Sequence, residues 1–374
     1  MEKTPGNGEV TEHITHQLSK LGYQSIKAGK YVEAEASFRE ILSYDETNNY
    51  AMVGLGDALR RQHRDKEAIE YYRNCLELYP ENNYALFGIA ESYRALKYYQ
   101  KAIEAWVCYT QIDSKNITVM TRMADIYRKM KNLKRSKEVY EQVLEIDTEN
   151  IYAIIGLAHV YYDLYLYNIS LNYWERILNK QNARVDIRVL TSVGNCYRKL
   201  RDFSKSLEFF RKAEKLEAKN FYVLYGIADS YRGLQNFTEA MHYWDLIIAE
   251  GHDNQFVLTR AGDTASASGQ HDQAKVFYQR VLDMGPDLYA TLGLARLEHE
   301  GGDHDRSIDL LESLLENHYR NPRLQIGLAM SYCAKNQTKK AFKNLDVYIH
   351  QGYGNEEVMA LHQNLKESLG HNHD

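Results

Sequence analysis

The sequence has few of the residues that break helices, form disulfides or bind zinc. Four of its 374 residues are proline, which favours a chain built from helices because proline interrupts them. Its four cysteines lie far apart and form no Cys-x-x-Cys pair, which argues against a zinc site and for a reducing compartment. These cysteines are Cys75, Cys108, Cys196 and Cys333.

Long apolar segments are also missing. No run of about 18 apolar residues occurs, so the sequence predicts no membrane span. The N-terminal stretch MEKTPGNGEVTEHITHQ is polar and lacks the apolar region of a secretory signal. We therefore expect a cytoplasmic protein.

Neither sign of charge dominates, and the usual motifs of catalysis and phosphate binding are absent. The formal net charge is −5 and the isoelectric point is about 6.3, whereas proteins that bind nucleic acid usually carry a basic patch or balance. No glycine-rich phosphate loop, nucleophile elbow or His-Glu-x-x-His motif occurs. The sequence therefore predicts no cofactor, no catalytic residue and a non-enzymatic protein, and it disfavours nucleic acid as a partner.

A tyrosine-rich repeat is what the sequence has in abundance. The stretch NYALFGIAESYR begins at Asn83 and a near copy, NFYVLYGIADSYR, begins at Asn220. A period of 34 residues relates these and further copies, and it divides the chain into ten units. The units span residues 15–48, 49–82, 83–116, 117–150, 151–184, 187–220, 221–254, 255–287, 288–321 and 322–355. Two residues are inserted near Val185 and Asp186; we interpret them as a longer loop, and a bend between units one to five and six to ten is the alternative.

Small side chains recur at two positions of the unit, when its residues are numbered from 1 to 34. Position 8 is Gly or Ala in all ten units, and position 20 is Ala or Ser. Position 24 carries a large side chain, such as Phe38, Trp106, Trp174 or Trp244. Two helices can pack closely where a large side chain meets small ones. Together with apolar residues three or four apart, this pattern predicts two antiparallel amphipathic helices per unit.

The ends of these helices are also marked. Asn is a good N-cap, because its side-chain oxygen accepts hydrogen bonds from the free amides of the first turn. Position 34 is Asn at residues 48, 82, 116, 150, 220, 254, 321 and 355. Position 15, predicted as the turn inside the unit, holds Gly29, Gly269 and Gly302, and polar residues in several other units.

This pattern resembles the tetratricopeptide repeat, a helix–turn–helix unit of 34 residues. The resemblance covers residues 15–355 and rests on positions 8, 20 and 24, together with Tyr at position 11, as in Tyr93 and Tyr231. It implies an all-α fold, a right-handed superhelical solenoid in which the first helix of each unit lines the concave side. Residues 1–14 are then expected to form a flexible tail, and residues 356–374 a C-terminal capping helix and tail.

The resemblance also implies which residues line the groove, since positions 2, 5, 9, 12 and 13 face the concave side in this family. Here these positions form columns of Tyr, acid and Arg, strongest between Asp57 and Arg232. Tyr offers a large contact area and Arg a planar fork of donors, so the columns predict binding of a peptide segment or helix of a partner protein. The candidates are Tyr50, Asp57, Arg60, Tyr84, Glu91, Arg94, Asp125, Arg128, Tyr152, Asn195, Arg198, Tyr222, Tyr225, Asp229 and Arg232.

Two features limit this prediction. The acid and Arg columns have an alternative interpretation as a structural ladder, because residues three apart on a helix can pair with each other or with the next unit. Unit nine departs from the pattern, since Arg296 and His299 reverse the order of charge. Position 5 holds no Lys, which the family's chaperone-binding carboxylate clamp requires, so a chaperone C-terminal tail is disfavoured as the ligand.

The predicted function is a non-enzymatic scaffold or adaptor that binds a partner protein within a larger assembly. Two alternatives remain open, an RNA-binding helical repeat and a regulatory subunit of an enzyme. No metal site is predicted in the segment HEGGDHD at residues 299–305, because His304 stands where other units carry Tyr31, Tyr99 and Tyr167.

Overall fold

The computed structural model describes residues 7–179 and 186–370. Every regular element within these ranges is an α-helix, so the predicted all-α fold is confirmed. None of the helices in these ranges is long and apolar enough to cross a membrane. The chain divides into two compact bodies, Met1–Ala183 and Arg184–Asp374.

Between residues 7 and 179 the first body contains five helix pairs, each joined by a short turn. Its helices are α1 (Asn7–Lys27), α2 (Tyr31–Tyr44), α3 (Asn49–Arg61), α4 (Asp65–Leu78), α5 (Asn83–Ala95), α6 (Tyr99–Ile112), α7 (Ile117–Lys129), α8 (Leu133–Ile146), α9 (Ile151–Asp163) and α10 (Tyr167–Leu178). Each helix packs on the next one in sequence, and first helices of neighbouring pairs also touch, as α3 and α5 do. The pairs therefore form a continuous row.

Between residues 186 and 370 the second body contains five further pairs and a closing helix. Its helices are α11 (Ile187–Lys199), α12 (Phe203–Glu214), α13 (Phe221–Gly233), α14 (Phe237–Ala249), α15 (Gln255–Ala267), α16 (His271–Met284), α17 (Leu288–Glu300), α18 (His304–Glu312), α19 (Leu315–His318), α20 (Pro322–Ala334), α21 (Thr338–His350) and α22 (Glu356–Gly370). The helices α18 and α19 replace one expected helix. The break occurs where the amide of Leu314 bonds to the carbonyl of Leu311, three residues back, at 3.1 Å.

The N-terminal helix is longer than expected. The helix α1 begins at Asn7 rather than at residue 15, so most of the tail expected for residues 1–14 is helical. Residues 9–21 contain neither proline nor glycine, and a helix can therefore extend through them without a break. Residues 1–6 lie outside the described residues, and so does Val185 of the inserted pair.

The asparagine caps predicted at position 34 are confirmed. In every case the side-chain oxygen accepts from an amide in the following turn; the amide of Ala85 donates to Asn82 Oδ1 at 3.0 Å. Asp186 and Asp287 cap α11 and α17 in the same way. A cap of this kind stabilises a helix by about 1 kcal/mol, which is why the first helices begin at position 1 of the units.

The turn inside each unit has one backbone geometry throughout the chain. Position 15 takes a left-handed conformation in all ten units, with φ between 59° and 89°. Glycine adopts this conformation freely, whereas another residue bears a steric cost of roughly 1 kcal/mol. Three of these residues are the predicted glycines, and the other seven are His63, Lys97, Lys131, Tyr165, Arg201, Gln235 and Asn336.

The large side chain at position 24 lies between two first helices. Tyr72 is fully buried and contacts Gly56 of its own unit and Gly88, at position 6 of the next unit. A Cβ added at Gly88 would lie 2.3 Å from the Tyr72 ring. The same contact joins Phe38 to Gly54, Tyr140 to Gly156, Phe210 to Gly226, Tyr278 to Gly293 and Leu311 to Gly327. These six glycines at position 6, which the sequence analysis did not single out, let their units approach the position-24 side chain of the unit before.

Serine at position 20 does more than provide a small surface. The hydroxyl groups of Ser136, Ser170 and Ser206 donate to the carbonyl at position 8 of their own units, at 2.7, 2.7 and 2.9 Å. Each of these three serines is fully buried, and a hydrogen bond satisfies its hydroxyl. The bond therefore ties the two helices of a unit together at their closest approach.

Candidate functional site

The predicted acid and Arg columns form closed ion pairs in the first body. Arg60 Nη2 lies 3.1 Å from Asp57 Oδ1. The Glu91 carboxylate is 5% exposed and lies 2.8 Å from Arg94 of its own unit and 3.0 Å from Arg122 of the next. These residues belong to the first helices, as predicted. Their charges, however, already have partners within the protein.

The fourth unit continues this arrangement toward the fifth. Arg128 lies 3.8 Å from Asp125 of its own helix and 3.2 Å from Asp163 of α9. Asp125 is also 2.8 Å from Lys129. The links therefore run along the row of first helices as well as within each one.

The second body repeats the arrangement at closer range. Arg198 donates to Asn195 Oδ1 at 3.0 Å and lies 2.6 Å from Asp229 of the next unit, which also pairs with Arg232 at 2.7 Å. Burial alone would raise the pKa of the Asp229 carboxyl, but the hydrogen bonds and charges of Arg232 and Arg198 outweigh it, so that pKa lies below its ordinary value. These contacts support the ladder interpretation of the acid and Arg columns.

The tyrosine column differs from the ladder. Tyr50, Tyr84, Tyr152 and Tyr222 are between 68% and 77% exposed, so their rings contribute little to the core. The remaining predicted tyrosine, Tyr225, is half-buried; its ring lies 5.5 Å from Trp244 and 5.6 Å from Phe256. The structure therefore leaves four of the five predicted tyrosines open to a partner.

A groove lies in the second body, beyond the window predicted from the sequence. Its volume is about 1440 Å³ and the first helices α15, α17 and α20 form its floor. Apolar side chains line that floor, with Leu292, Ile326 and Met330 in successive units. Phe256 and Tyr289 stand at its edge with 52% and 62% of their surfaces exposed. An apolar floor with exposed aromatic residues is typical of surfaces that bind peptides.

Arginine side chains in this groove are held more loosely than those of the ladder. Arg260 lies 3.7 Å from Asp263, and Arg296 lies 3.8 Å from Glu300, although Arg296 also donates to the Ser266 hydroxyl at 2.6 Å. Within the described residues no carboxylate oxygen lies within 4.0 Å of a nitrogen of Arg323. The guanidinium groups of Arg260 and Arg323 can therefore turn to a bound acidic group at small cost, whereas Arg296 would exchange its hydrogen bond to Ser266 for one to the ligand.

One histidine of the HEGGDHD segment faces the groove. The His299 ring lies 4.9 Å from the His304 ring, and its Nδ1 is 3.1 Å from the Ser331 hydroxyl. Burial, and then the neighbouring His304, lower the pKa of His299, which favours its neutral form at neutral pH. Among the residues that the structure describes, no group of three or more His, Cys, Asp or Glu side chains could hold a metal ion.

Part of this groove was visible in the sequence. Phe256 and Tyr289 occupy position 2, the same column as the predicted tyrosines, and Arg296 marks the reversal of charge in unit nine. The missing information was which charges are already paired. Between Asp57 and Arg232 the acid and Arg side chains pair with one another. The regular sequence pattern therefore identified charges that are not free to bind a ligand.

Comparison with known proteins gives matches along much of the chain. Models described as tetratricopeptide repeat match residues 50–82, residues 117–150 and 187–220, and residues 67–107 and 259–322. A BBSome complex member BBS4 homolog from Drosophila melanogaster is 25% identical over 172 residues. That alignment covers 45% of this chain and 29% of the relative, so the chain spans less than a third of that protein's length.

The solved structures that this chain matches are distant in sequence. A structure of PilF from Pseudomonas aeruginosa is 17% identical with a TM-score of 0.49, and the match covers 57% of this chain and 96% of PilF. A structure of MamA is 18% identical with a TM-score of 0.43, over 47% of this chain and all of that one. The segments that match tetratricopeptide repeat models, the 34-residue period and the helix pairs agree in one conclusion: the chain belongs to the tetratricopeptide repeat family.

Proposed function

We propose that this protein is a non-enzymatic scaffold that binds a segment of a partner protein in the groove of its second body. The observation that carries the proposal is the combination of an apolar floor, exposed aromatic residues and loosely held arginines on α15, α17 and α20. A fitting ligand is a helix or extended peptide with aliphatic side chains for Leu292 and Ile326, and an acidic group for Arg296 or Arg323.

The ladder has a supporting role in this proposal. Closed pairs such as Arg198 with Asp229 link neighbouring first helices and hold the backbone in place. A rigid surface loses little conformational freedom on binding, which favours affinity. We therefore propose that the exposed tyrosines, Tyr50, Tyr84, Tyr152 and Tyr222, extend the contact surface, and that the acid and Arg columns position it.

The relative supports a place in an assembly. That protein's name identifies it as a member of a complex, and we propose that this chain also acts within a larger assembly, in the cytoplasm. No contact among the described residues specifically favours the two alternatives, RNA binding and regulation of an enzyme. A filter-binding assay at low salt tests the first, since RNA binding through phosphates would be strong and salt-sensitive.

The experiment compares partner capture from the native source by four forms of the full chain. One groove variant carries Leu292→Glu with Ile326→Glu, and a second carries Arg296→Glu with Arg323→Glu. The matched control carries Val276→Glu with Val347→Glu, which place the same charges on exposed sites of α16 and α21.

We expect both groove variants to lose partners that the wild-type chain and the control retain, as identified by mass spectrometry. Circular dichroism and thermal melting establish that each variant is folded. If folded groove variants retain the full set of partners, the groove is not the binding site.

A further inference from the structure

The turn between α9 and α10 exposes three consecutive apolar residues. This segment, Leu164, Tyr165 and Leu166, is called the unit-five tip below. Tyr165 is 78% exposed, and the two leucines are 36% and 47% exposed. Ile169, on the first turn of α10, extends the apolar surface and is 38% exposed. The exposed parts of these four side chains do not pack against the core of the unit.

The unit-five tip is built from residues that disfavour its own local structure. Tyr165 has a left-handed backbone, with φ at 62°, and a bulky side chain is rare in that conformation. Leu166 stands at the N-cap of α10 and makes no capping hydrogen bond. Four equivalent residues, Asn132, Asp202, Asn236 and Asp303, cap their helices, whereas those of the other five units do not. Left-handed residues other than glycine and uncapped N-cap residues also occur in other units. What distinguishes the unit-five tip is therefore its run of three exposed apolar side chains.

A basic segment lies beside the unit-five tip. Residues 128–137 read RKMKNLKRSK, with six basic residues and no acidic one. Their turn belongs to unit four, and the ion pair of Arg128 with Asp163 at 3.2 Å joins it to the end of α9. The two turns are therefore neighbours on the same side of the first body.

The charges that face this surface are mostly basic. Asp125 and Asp163 are paired with Arg128 and Lys129, Glu138 is paired with Arg135 at 2.9 Å, and Glu141 is paired with Lys137 at 3.7 Å. No carboxylate in the described part of the chain pairs with the exposed Lys131 or Lys134. The charges of Lys131 and Lys134 are thus available to an anionic partner.

We propose that the unit-five tip and the basic segment together dock on an anionic lipid surface. Tyr and Leu side chains lower their free energy at the boundary between headgroups and acyl chains, and nearby Lys and Arg are attracted by anionic headgroups. The apolar residues stand on a projecting turn rather than in a cleft. A projecting tip can enter a lipid interface without a complementary cavity, which favours a lipid surface over a protein ligand.

The experiment measures binding of the full chain to two kinds of vesicle. One kind is phosphatidylcholine alone, and the other contains about 30% phosphatidylserine, enough to create a negative surface potential. We expect binding to the anionic vesicles, weakening between about 50 and 500 mM salt as the charges are screened. A chain that does not sediment with anionic vesicles at low salt overturns the proposal.

The tip variant carries Tyr165→Gln and Leu166→Asn, which copies the turn of unit seven, Gln235 and Asn236. We expect it to bind anionic vesicles at least about tenfold more weakly, because it loses two interfacial apolar side chains. Its melting temperature should equal or exceed that of the wild-type chain, so the loss cannot be attributed to unfolding. Undiminished binding by this variant contradicts the proposed role of the tip.

A second pair of variants tests the basic segment. Lys131→Gln with Lys134→Gln should weaken anionic binding about thirtyfold, or about fivefold for each lysine. The control, Arg201→Gln with Lys205→Gln, makes the same change of charge in the turn of unit six. An equal loss in the control would show that total charge alone determines binding, and would overturn the assignment of the surface.

Discussion

Gly88→Ala tests the contact between a position-24 ring and the next unit. The added methyl would lie 2.3 Å from the ring of Tyr72, far inside van der Waals contact. The ring cannot turn aside easily, because it is fully buried and its hydroxyl donates to Asp57 at 2.7 Å. The variant must therefore overpack the contact, or break this hydrogen bond, or both.

The magnitude follows from three contributions. Overpacking costs about 1–3 kcal/mol, and loss of a hydrogen bond to a charged group costs about 1.5–3 kcal/mol. Alanine is favoured over glycine inside a helix by about 1 kcal/mol, which offsets part of the loss. We expect Gly88→Ala to lower the free energy of unfolding by about 3 kcal/mol, measured by urea unfolding with circular dichroism.

The control uses the loosest contact of the same kind. At Gly327 the nearest atom to an added methyl is Leu311 Cδ1 at 3.1 Å, the end of a side chain that can rotate. Gly327→Ala should therefore change stability by less than about 1 kcal/mol. In a Tyr72→Leu background, Gly88→Ala should likewise cost little. If Gly88→Ala is as stable as the wild-type chain, the ring does not fix the spacing between units.

Three further predictions concern the turns, the caps and the ladder. Lys97→Gly should raise the free energy of unfolding by about 1 kcal/mol, because glycine adopts the left-handed backbone without steric strain. Gly269→Ala should lower it by a similar amount, and the melting temperature of each variant tests both changes. Asn82→Ala should cost about 1 kcal/mol in urea unfolding, and Asn82→Asp should retain most of the stability, because the carboxylate also caps. The folded-state pKa of Asp229 is lowered, so its contribution is present above the unfolded pKa and is lost as pH falls through the folded value. The wild-type chain should consequently lose more stability between about pH 5 and pH 3 than Asp229→Asn; equal losses would show that the ladder does not depend on this charge.

Local features of the fold were predictable because they depend on neighbouring residues alone. Asn82 caps α5 through contacts within three residues of itself, and the same residue type at the same position predicts the same cap elsewhere. The break between α18 and α19 was not predicted, because nothing in the sequence pattern around Leu314 departs from a helix. The left-handed turn was predicted only at its glycines, since residues such as Lys97 carry no local preference for it.

The candidate site depends on contacts between units, which the sequence pattern does not resolve. The columns correctly placed Glu91 and Asp229 on the first helices, but the partners Arg122 and Arg198 belong to adjacent units. Whether such a charge binds a ligand or a neighbour depends on distances of a few ångströms. The exposed Tyr165 illustrates the same limit, because its position in a turn is visible in the sequence while its backbone strain is not.

The contact between position 24 and the following position 6 also restricts how units can be exchanged. In six cases position 6 of the next unit is a glycine; the position-24 residues there are Phe38, Tyr72, Tyr140, Phe210, Tyr278 and Leu311. For Trp106 and Trp244, position 6 of the next unit is Arg122 and Arg260. A duplicated or transplanted unit is thus compatible only with certain successors. A segment that keeps this contact intact when it is copied runs from position 7 of one unit through position 6 of the next. It therefore crosses the boundary between two 34-residue units. Recombination of such arrays, in evolution or in the laboratory, should succeed most often when its junctions preserve these pairs.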